Sequence, residues 1–396
     1  MCQKTEFYLK DKKYTVVGLI SIRYLLDVNT NDSELYQQSI PLLKKLINEE
    51  IYTSNPDLVQ EIFRLYFLLY SNMMYYKDGY NFCKEFLHLL PRTKYSNVRG
   101  YFLFFAYQLK NYSEIDEVMN TNIIETSYKT QVDSNDFCLY TFYKGLIHLS
   151  KEEYVMAAFS FMICIVPFTK HFPSVIDFLQ IESFKRLCLL FHIVDNEFKP
   201  MIINILKYLE MLKHSPKLSP FFEIIELRND PYILLEQFIN TKKTFLRSNN
   251  LYGLAKKALW ETRFKAVTEV LCKYKRIKLT KVSNMVNLKM QNVVKVLEMN
   301  VAKNRINVRY DEVEDILEVI KCSMNNPESF EELKKYYKYL IASCQDLFTY
   351  DMTKINESKK FASMKPEELA DLVQRQHEDD FDDGVVNMDP MMEDAI

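Results

Sequence analysis

Glycine, proline, histidine and tryptophan are scarce in this chain of 396 residues, which contains 6, 12, 6 and 1 of them respectively. Glycine and proline are the residues that most often interrupt regular structure, so their scarcity predicts few turns and long elements, which favours helices. The six glycines also lie far apart in the sequence. A glycine-rich loop that binds phosphate groups is therefore excluded.

The sequence also lacks the common catalytic and metal-binding motifs. The six histidines form neither a His-x-His nor a His-Glu-x-x-His pattern, and no Gly-x-Ser-x-Gly motif is present. His148 and His192 lie among apolar neighbours, which is typical of histidines in a core. Paired acids such as Glu152-Glu153 fall at turns or helix starts, where the helix dipole accounts for them. We therefore predict a protein that is not an enzyme and that has no catalytic residue, metal site or cofactor.

Cysteine pairs and long apolar runs are missing as well. None of the eight cysteines forms a Cys-x-x-Cys motif, and most lie inside apolar helical stretches, which is typical of reduced, buried thiols in an intracellular protein. No apolar run approaches the length that spans a bilayer. The N-terminal residues include Lys4 and Glu6 with no apolar run behind them, so a secretory signal is not expected. These features predict a cytoplasmic and nuclear protein that does not enter membranes.

Aromatic residues, by contrast, are abundant, with 27 Tyr and 27 Phe in a chain that is 48% hydrophobic. Because each buried aromatic ring covers a large area, a sizeable core is expected. Apolar residues at helical spacing predict a helix at 14–26, one from Pro56 to about Tyr76, a break at Lys77-Asp78-Gly79 and a return helix at 80–90. Further helical pairs are predicted near 99–120, 136–166, 174–195 and 200–226.

The pair at 137–149 and 154–166 shows the clearest repeat pattern. Gly145, Ala157 and Phe161 fall where a tetratricopeptide-type repeat has its small and aromatic packing residues, although Lys144 stands where leucine is usual. A single helical pair cannot bury its apolar face alone, so stacked pairs are expected to form an extended solenoid. We predict a helical-repeat solenoid over residues 1–229.

The chain changes character after residue 250. A long helix, which Ser248-Asn249-Asn250 is expected to cap, is followed by two short helices, at 279–288 and 291–300, and by an alternating strand at 305–310. The segment 313–320 fits either helical spacing or a second strand. The strand is favoured because a lone strand at 305–310 would have no partner for its hydrogen bonds. Two helices and two strands in this order predict a winged helix at 276–322.

Three segments of the chain resemble a known family. They are the aromatic-rich run 136–147, which ends in a glycine and two apolar residues, the run 245–259 and the run 278–282. They are similar to segments of PCI-domain proteins, the scaffold subunits of the proteasome lid, the COP9 signalosome and translation initiation factor 3. Within that group the subunit 3 family of the signalosome is most similar, over roughly residues 80–325. The chain departs from the family at 302–305, where no glycine precedes the first wing strand.

The resemblance implies a PCI domain at 230–325 and a non-catalytic scaffold role in the COP9 signalosome. Such a subunit supports removal of the ubiquitin-like modifier from cullin-RING ubiquitin ligases. Expected partners are other PCI subunits and the metalloprotease subunit of the same complex, with the ligases contacted indirectly. Two alternatives stay open, namely a PCI subunit of the lid of the 26S proteasome regulatory particle and an RNA-binding PCI adaptor in messenger-RNA export or translation initiation.

A basic band runs from Lys242 to Lys281, with twelve Lys or Arg against two Glu. It is interpreted as a solvated face or a patch for an acidic partner subunit, and phosphate contact is the alternative. The second short helix has only Lys295 and Glu298 as charged residues between 291 and 298, which argues against reading of bases. Nucleic acid is therefore not expected as a partner. The cations considered for phosphate contact are Lys265, Lys273, Lys275, Arg276 and Lys278.

The chain after residue 325 is expected to form one long helix and an acidic tail. Asn326-Pro327 begins the helix at 326–350, whose apolar stripe is expected to join a bundle of helices from several subunits. The tail at 351–396 has eight acids and no Lys or Arg after Arg375, so it is predicted to be mostly disordered. The candidate interface residues on the first wing strand are Ile306, Val308 and Tyr310. Those on the long helix are Phe330, Leu333, Tyr337, Leu340, Ile341 and Phe348.

Overall fold

A computed structural model gives the fold of ten segments of the chain, all within one compact unit. These segments are residues 56–87, 96–120, 134–165, 178–194, 198–207, 213–215, 217–227, 232–302, 306–311 and 314–322. They are mainly helical, in agreement with the predicted all-α class, and contain three short strands. The predicted helix at 14–26, the helix predicted at 326–350 and the acidic tail lie outside the described residues. Within the described segments, no helix is both long and apolar enough to cross a membrane.

Nine helices lie in the described segments up to residue 227. They are α1 (Pro56–Asn72), α2 (Tyr76–Leu87), α3 (Val98–Leu109), α4 (Asp116–Met119), α5 (Ser134–Ser150), α6 (Tyr154–Ile165), α7 (Phe178–Ile193), α8 (Lys199–Lys207) and α9 (Ser219–Glu226). Most of them pack against the next main helix in chain order, with α2 on α3, α3 on α5, α5 on α6 and α6 on α7. The result is a stacked array that grows along the sequence.

Aromatic rings join successive helices of this array, which explains the abundance of Tyr and Phe. The rings of Tyr66 and Phe82 are stacked with centroids 4.0 Å apart and join α1 to α2. Further along the array, Phe104 and Tyr143 meet edge to face at 5.1 Å and join α3 to α5. Aromatic pairs of these geometries contribute beyond the area that they bury. The core is therefore continuous from one helix to the next.

The predicted break at Lys77-Asp78-Gly79 is wrong, because these residues lie inside α2. The turn falls earlier, after Asn72, where Met74 has a φ of 56°. Gly79 is buried, and a Cβ atom added to it would lie 2.4 Å from the ring of Phe105 on α3. The glycine therefore serves close packing between two helices, and its backbone stays helical.

The predicted helical pairs are found in part. The pair near 136–166 is confirmed as α5 and α6, and a Cβ atom on Gly145 would lie 2.7 Å from the ring of Phe161, so these two residues pack as predicted. The region near 99–120 holds α3 and the single turn α4. The described residues of 174–195 form one helix, α7, instead of a pair. Sequence periodicity could not separate a long buried helix from two short ones, because α7 is apolar on most of its faces.

The second half of the described chain contains five helices and three strands. They are α10 (Tyr232–Thr241), α11 (Lys243–Ser248), α12 (Tyr252–Leu271), β1 (Arg276–Lys278), α13 (Leu279–Val286), α14 (Met290–Ala302), β2 (Ile306–Asp311) and β3 (Ile316–Cys322). The predicted strand at 305–310 and the favoured strand at 313–320 are confirmed by β2 and β3. Residues 276–322 are called the sheet unit below.

The strands of the sheet unit form one antiparallel sheet in the order β1-β3-β2. Leu317 in the central strand faces Ile277 on one side and Tyr310 on the other. Between Asn307 and Val308 the register shifts, which leaves Ile320 as an extra residue in β3. The buried residues of this sheet, α13 and α14 form one core cluster with α12 and Tyr232. Since α12 also packs on α7, this helix links the sheet unit to the helical array.

The predicted cap of α12 by Ser248-Asn249-Asn250 is wrong. The helix begins after Leu251, and no side chain there bonds to its first amides. The Asn249 side chain instead donates its amide hydrogen to the carbonyl of Phe245, 2.8 Å away in α11. Asn250 takes a φ of 56°, a conformation that asparagine tolerates better than most residues. These residues therefore end α11, and the first turn of α12 is left uncapped.

Candidate interaction surfaces

The outer edge of β2 is the first candidate surface. The sheet ends at β2 in the part of the chain that the structure describes, so no further strand there pairs with it. Such an edge presents backbone groups that a strand of another chain can bond. Tyr310 is 44% exposed at the end of this strand, and its hydroxyl donates to Asp315 Oδ1 at 3.2 Å.

The three residues predicted for this surface differ in accessibility. Ile306 is only 4% exposed and belongs to the core cluster of the sheet unit, so its side chain is not a contact residue. Val308 is half-buried, pairs with Val319 and packs against the same cluster. Of the three, Tyr310 alone presents much of its side chain. Alternation along the strand predicts that the three side chains share one face. Ile306 and Val308 on that face pack into or against the core cluster.

The remaining predicted interface residues cannot be compared with the structure. They belong to the helix predicted at 326–350, which lies outside the described residues. They are Phe330, Leu333, Tyr337, Leu340, Ile341 and Phe348.

The basic band at 242–281 is divided by the fold, and several of its cations have partners. The Lys265 ammonium donates to the carbonyls of Ile193 and Val194 at 2.9 and 2.6 Å, at the C-terminal end of α7. Arg276 pairs with Glu318 at 3.1 Å, and Arg263 pairs with Glu236 at 2.7 Å. Two residues considered for phosphate contact, Lys265 and Arg276, are thus engaged within the chain.

A compact group of cations remains at the start of α12. The charged groups of Lys243, Arg247 and Lys256 lie 5.9, 5.1 and 4.8 Å from the centre of the Tyr252 ring. All three side chains are exposed. None of them forms an ion pair with a carboxylate in the described segments. We call these four residues the Tyr252 patch.

A second group of exposed lysines lies near the other end of α12 and on the sheet unit. Lys273, Lys275 and Lys278 belong to it, and Lys281 has its ammonium 5.5 Å from the Tyr274 ring. A helix of the length of α12 spans roughly 30 Å, so the two groups are separate surfaces. Unlike the Tyr252 patch, this group adjoins acids of the sheet, since Glu318 and Asp315 lie in or beside β3.

Three buried titratable side chains of the helical array have lowered pKa values and hydrogen-bond partners. His192 Nε2 donates to the carbonyl of Ile224 at 2.9 Å, and burial lowers the pKa of His192 to about 4. His148 Nδ1 contacts Glu153, and burial lowers the pKa of this imidazole below its usual value. Burial likewise lowers the pKa of Lys144 to about 8, and its ammonium donates to the carbonyl of Met119. Each of these bonds joins neighbouring helices or turns of the array.

Within the described segments, no group of three or more His, Cys, Asp and Glu residues is arranged to hold a metal ion. The buried cysteines there, such as Cys138 and Cys164, are reduced, and Cys272 at the end of α12 is exposed. The described residues therefore provide a strand edge and exposed charges with which other molecules can interact.

Patterns in the sequence do not predict two features of these surfaces. The Tyr252 patch joins residues of α11 and α12 that meet only because of the turn at Asn249–Leu251, and periodicity does not give the angle of that turn. The role of Lys265 depends on a helix more than seventy residues earlier in the chain. The excess of Lys and Arg was the only available signal for either of them.

Comparison of the sequence with models of protein families and with curated proteins gives no match.

Proposed function

We propose that the chain is a non-catalytic scaffold subunit of a multisubunit complex, built as a tetratricopeptide-like solenoid that continues into a winged-helix PCI domain. The observation that supports this best is the stacked array of helices that leads through α12 directly into a unit of order β1-α13-α14-β2-β3. Elements in this order are expected of a winged helix, which supports the proposal. Its outermost strand, β2, ends the described sheet.

Both parts of the fold favour binding of other proteins. A stack of helical pairs exposes a long surface in proportion to the number of repeats. The edge of β2 can accept a strand from a neighbouring subunit, because main-chain hydrogen bonds give affinity there whatever the side chains are. The sheet then becomes the joint between two subunits.

The complex that we propose is the COP9 signalosome, with this chain in the position of its subunit 3. The resemblance of segments 136–147, 245–259 and 278–282 supports this choice. In that role the chain positions other PCI subunits and the metalloprotease subunit that removes the ubiquitin-like modifier from cullin-RING ligases. The helix at 326–350 joins the bundle of subunit helices, and the complex works in the cytoplasm and the nucleus.

Affinity purification of the full chain with identification of its partners tests the proposal. Recovery of the other signalosome subunits, including the metalloprotease, is the expected result. Recovery of proteasome ATPases and lid subunits would instead assign the chain to the proteasome lid. Recovery of messenger-RNA export or translation initiation factors would assign it to the RNA-binding class.

A matched pair of substitutions tests the edge of β2 in the same purification. Tyr310→Asp adds a charge to the exposed end of the edge strand, and Ile320→Asp adds one to a residue of the central strand that is 51% exposed. We expect Tyr310→Asp to reduce partner recovery and Ile320→Asp to leave it near the wild-type level, because a charge on an edge opposes strand pairing. Equal losses would indicate that the open face of the sheet, and not its edge, makes the contact.

A further inference from the structure

We propose that the Tyr252 patch binds an acidic segment of a partner protein. The patch consists of Lys243 and Arg247 on α11 and of Tyr252 and Lys256 on α12. This inference goes beyond the scaffold role, since the partner need not belong to the same complex. It also stands apart from the edge of β2.

Positive charge is concentrated in the Tyr252 patch. Three cations lie within 5.9 Å of one ring centre, and all three are exposed. Like charges that converge in this way repel one another, and the negative face of the tyrosine ring offsets only part of that repulsion. An anion placed among them removes the remainder.

The three cations of the patch have no carboxylate partner in the described segments. Other cations of the band form ion pairs, as Arg263 does with Glu236 and Arg276 with Glu318. Lys257, the neighbour of Lys256, lies 3.6 Å from carboxylate oxygens of both Glu152 and Glu261. In the described segments, no carboxylate pairs in this way with Lys243, Arg247 or Lys256. The charge is left for a ligand from outside these segments.

The backbone under the patch also favours an anion. The first turn of α12 has no acidic residue and no side-chain cap, so its free amides add to the positive potential. A Cβ atom added to Gly253, the next residue of the helix, would meet nothing within 4 Å, so the surface is open at this residue.

The shape of the patch favours an acidic peptide over a nucleic acid. Single strands of nucleic acid are bound along a groove of spread cations, with free aromatic faces on which the bases stack. In this patch the three cations instead gather within 5.9 Å of the centre of one ring. Arg247 supplies the forked guanidinium that pairs with a carboxylate through two hydrogen bonds. Clustered Asp and Glu side chains match this arrangement.

The test is fluorescence anisotropy with the full chain and a short labelled peptide of alternating aspartate and glutamate. A peptide of alternating asparagine and glutamine controls for contacts that do not need charge. We expect the acidic peptide to bind and the amide peptide not to bind. Binding should weaken steeply between about 0.05 and about 0.5 M salt, as screening of exposed charges requires.

Two triple variants locate the site. Lys243→Glu with Arg247→Glu and Lys256→Glu should weaken binding of the acidic peptide by about tenfold or more, since each exposed contact contributes a fraction of the total. The matched control reverses the same number of charges in the second group, at Lys273, Lys275 and Lys278, and should change binding less than about twofold. Replacement of the three patch cations by glutamine repeats the test without adding charge. Thermal melting by circular dichroism verifies the fold of every variant.

Three results would overturn the inference. One is the absence of binding to the acidic peptide at low salt. Another is an equal loss in the patch and control variants, which would show attraction to the whole basic band. The last is tighter binding of a single-stranded RNA with the same number of charges that depends on the same three residues, because the partner would then be a nucleic acid. Partner recovery by the Tyr310 variant is a separate measurement, so failure here is distinguishable from failure of the scaffold role.

Discussion

Gly145 and Gly253 lie in helices but have opposite surroundings. A Cβ atom on Gly145 would be 2.7 Å from the ring of Phe161, which is fully buried and cannot move aside. A Cβ atom on Gly253 would meet nothing within 4 Å. The same substitution therefore has a packing cost at one site and none at the other.

Alanine at the two positions should change stability in opposite directions. Gly145→Ala should lower the free energy of unfolding by about 1–3 kcal/mol, because overpacking outweighs the gain in helix propensity. Gly253→Ala serves as the matched control and should raise it by up to about 1 kcal/mol, since alanine restricts the unfolded chain. Urea unfolding followed by circular dichroism measures both changes. A stabilised Gly145→Ala variant would show that α5 and α6 are not closely packed there.

The fold opposes protonation of His192. Burial lowers its pKa to about 4, and Lys199 and Lys265 nearby act in the same direction, while the bond to Ile224 opposes the shift. The ordinary pKa of histidine is about 6.5, so between these values the unfolded chain binds more protons than the folded chain. Stability that is complete above about pH 6.5 is therefore lost as the pH falls toward 4.

Stability of the wild type should thus fall on acidification by up to about 3 kcal/mol on account of His192. His192→Gln keeps a donor for the Ile224 carbonyl and does not titrate. Its free energy of unfolding should therefore depend less on pH between about 6.5 and 4. Urea unfolding at a series of pH values gives the two slopes. Equal slopes would mean that His192 is accessible to protons in the folded chain.

At the scale of elements, Lys265 joins two helices that are distant in sequence. Its ammonium reaches the last carbonyls of α7 from α12, where the negative end of a helix dipole favours a cation. The same helix α12 forms part of the core cluster of the sheet unit. This contact therefore helps to hold the helical array and the sheet unit together.

Lys265→Met keeps most of the side-chain volume and removes the charge. It should lower the free energy of unfolding by about 1–2 kcal/mol, because the carbonyls at the end of α7 lose a charged donor. Lys256→Met on the exposed face of the same helix is the control, and its effect should stay within about 0.5 kcal/mol. Thermal melting of both variants checks the difference. Equal melting temperatures would indicate that water replaces the ammonium at no cost.

At the scale of the whole molecule, the described members of the core cluster of the sheet unit all lie between Tyr232 and Leu317. The scaffold proposal gives the helix predicted at 326–350 a role in assembly, so folding and assembly should be separable.

A chain that ends at Asn325 should keep its helical circular dichroism spectrum and a cooperative thermal transition, but it should lose its partner subunits in affinity purification. The physical reason is that, in the proposed scaffold, the apolar stripe of the removed helix supplies contact area to the bundle of subunit helices. A full-length chain with the same tag is the control. Partners retained by the shortened chain would contradict the role of the helix in assembly.

Local signals in the sequence determined the elements well. Scarce glycine and proline gave long helices, and the alternation at 305–310 gave β2. The need for a strand partner gave β3, since a lone strand leaves its backbone groups unbonded. The errors have the same local origin. Glycine is typical of a helix break, but Gly79 lies inside a helix and packs closely against Phe105 of the next one. Asn249 looked like a cap for α12 and ends α11 instead.

The sequence by itself determined a mainly helical chain with a small β unit after residue 275, because periodicity and turn residues act over a few positions. Only the tertiary structure decided which charges are neutralised, since Lys265 and Arg276 find partners far away in the chain. It also decided that Ile306 is buried while Tyr310 is exposed on the same strand. Charge pairing and burial depend on which elements pack together, and no local pattern specifies that choice.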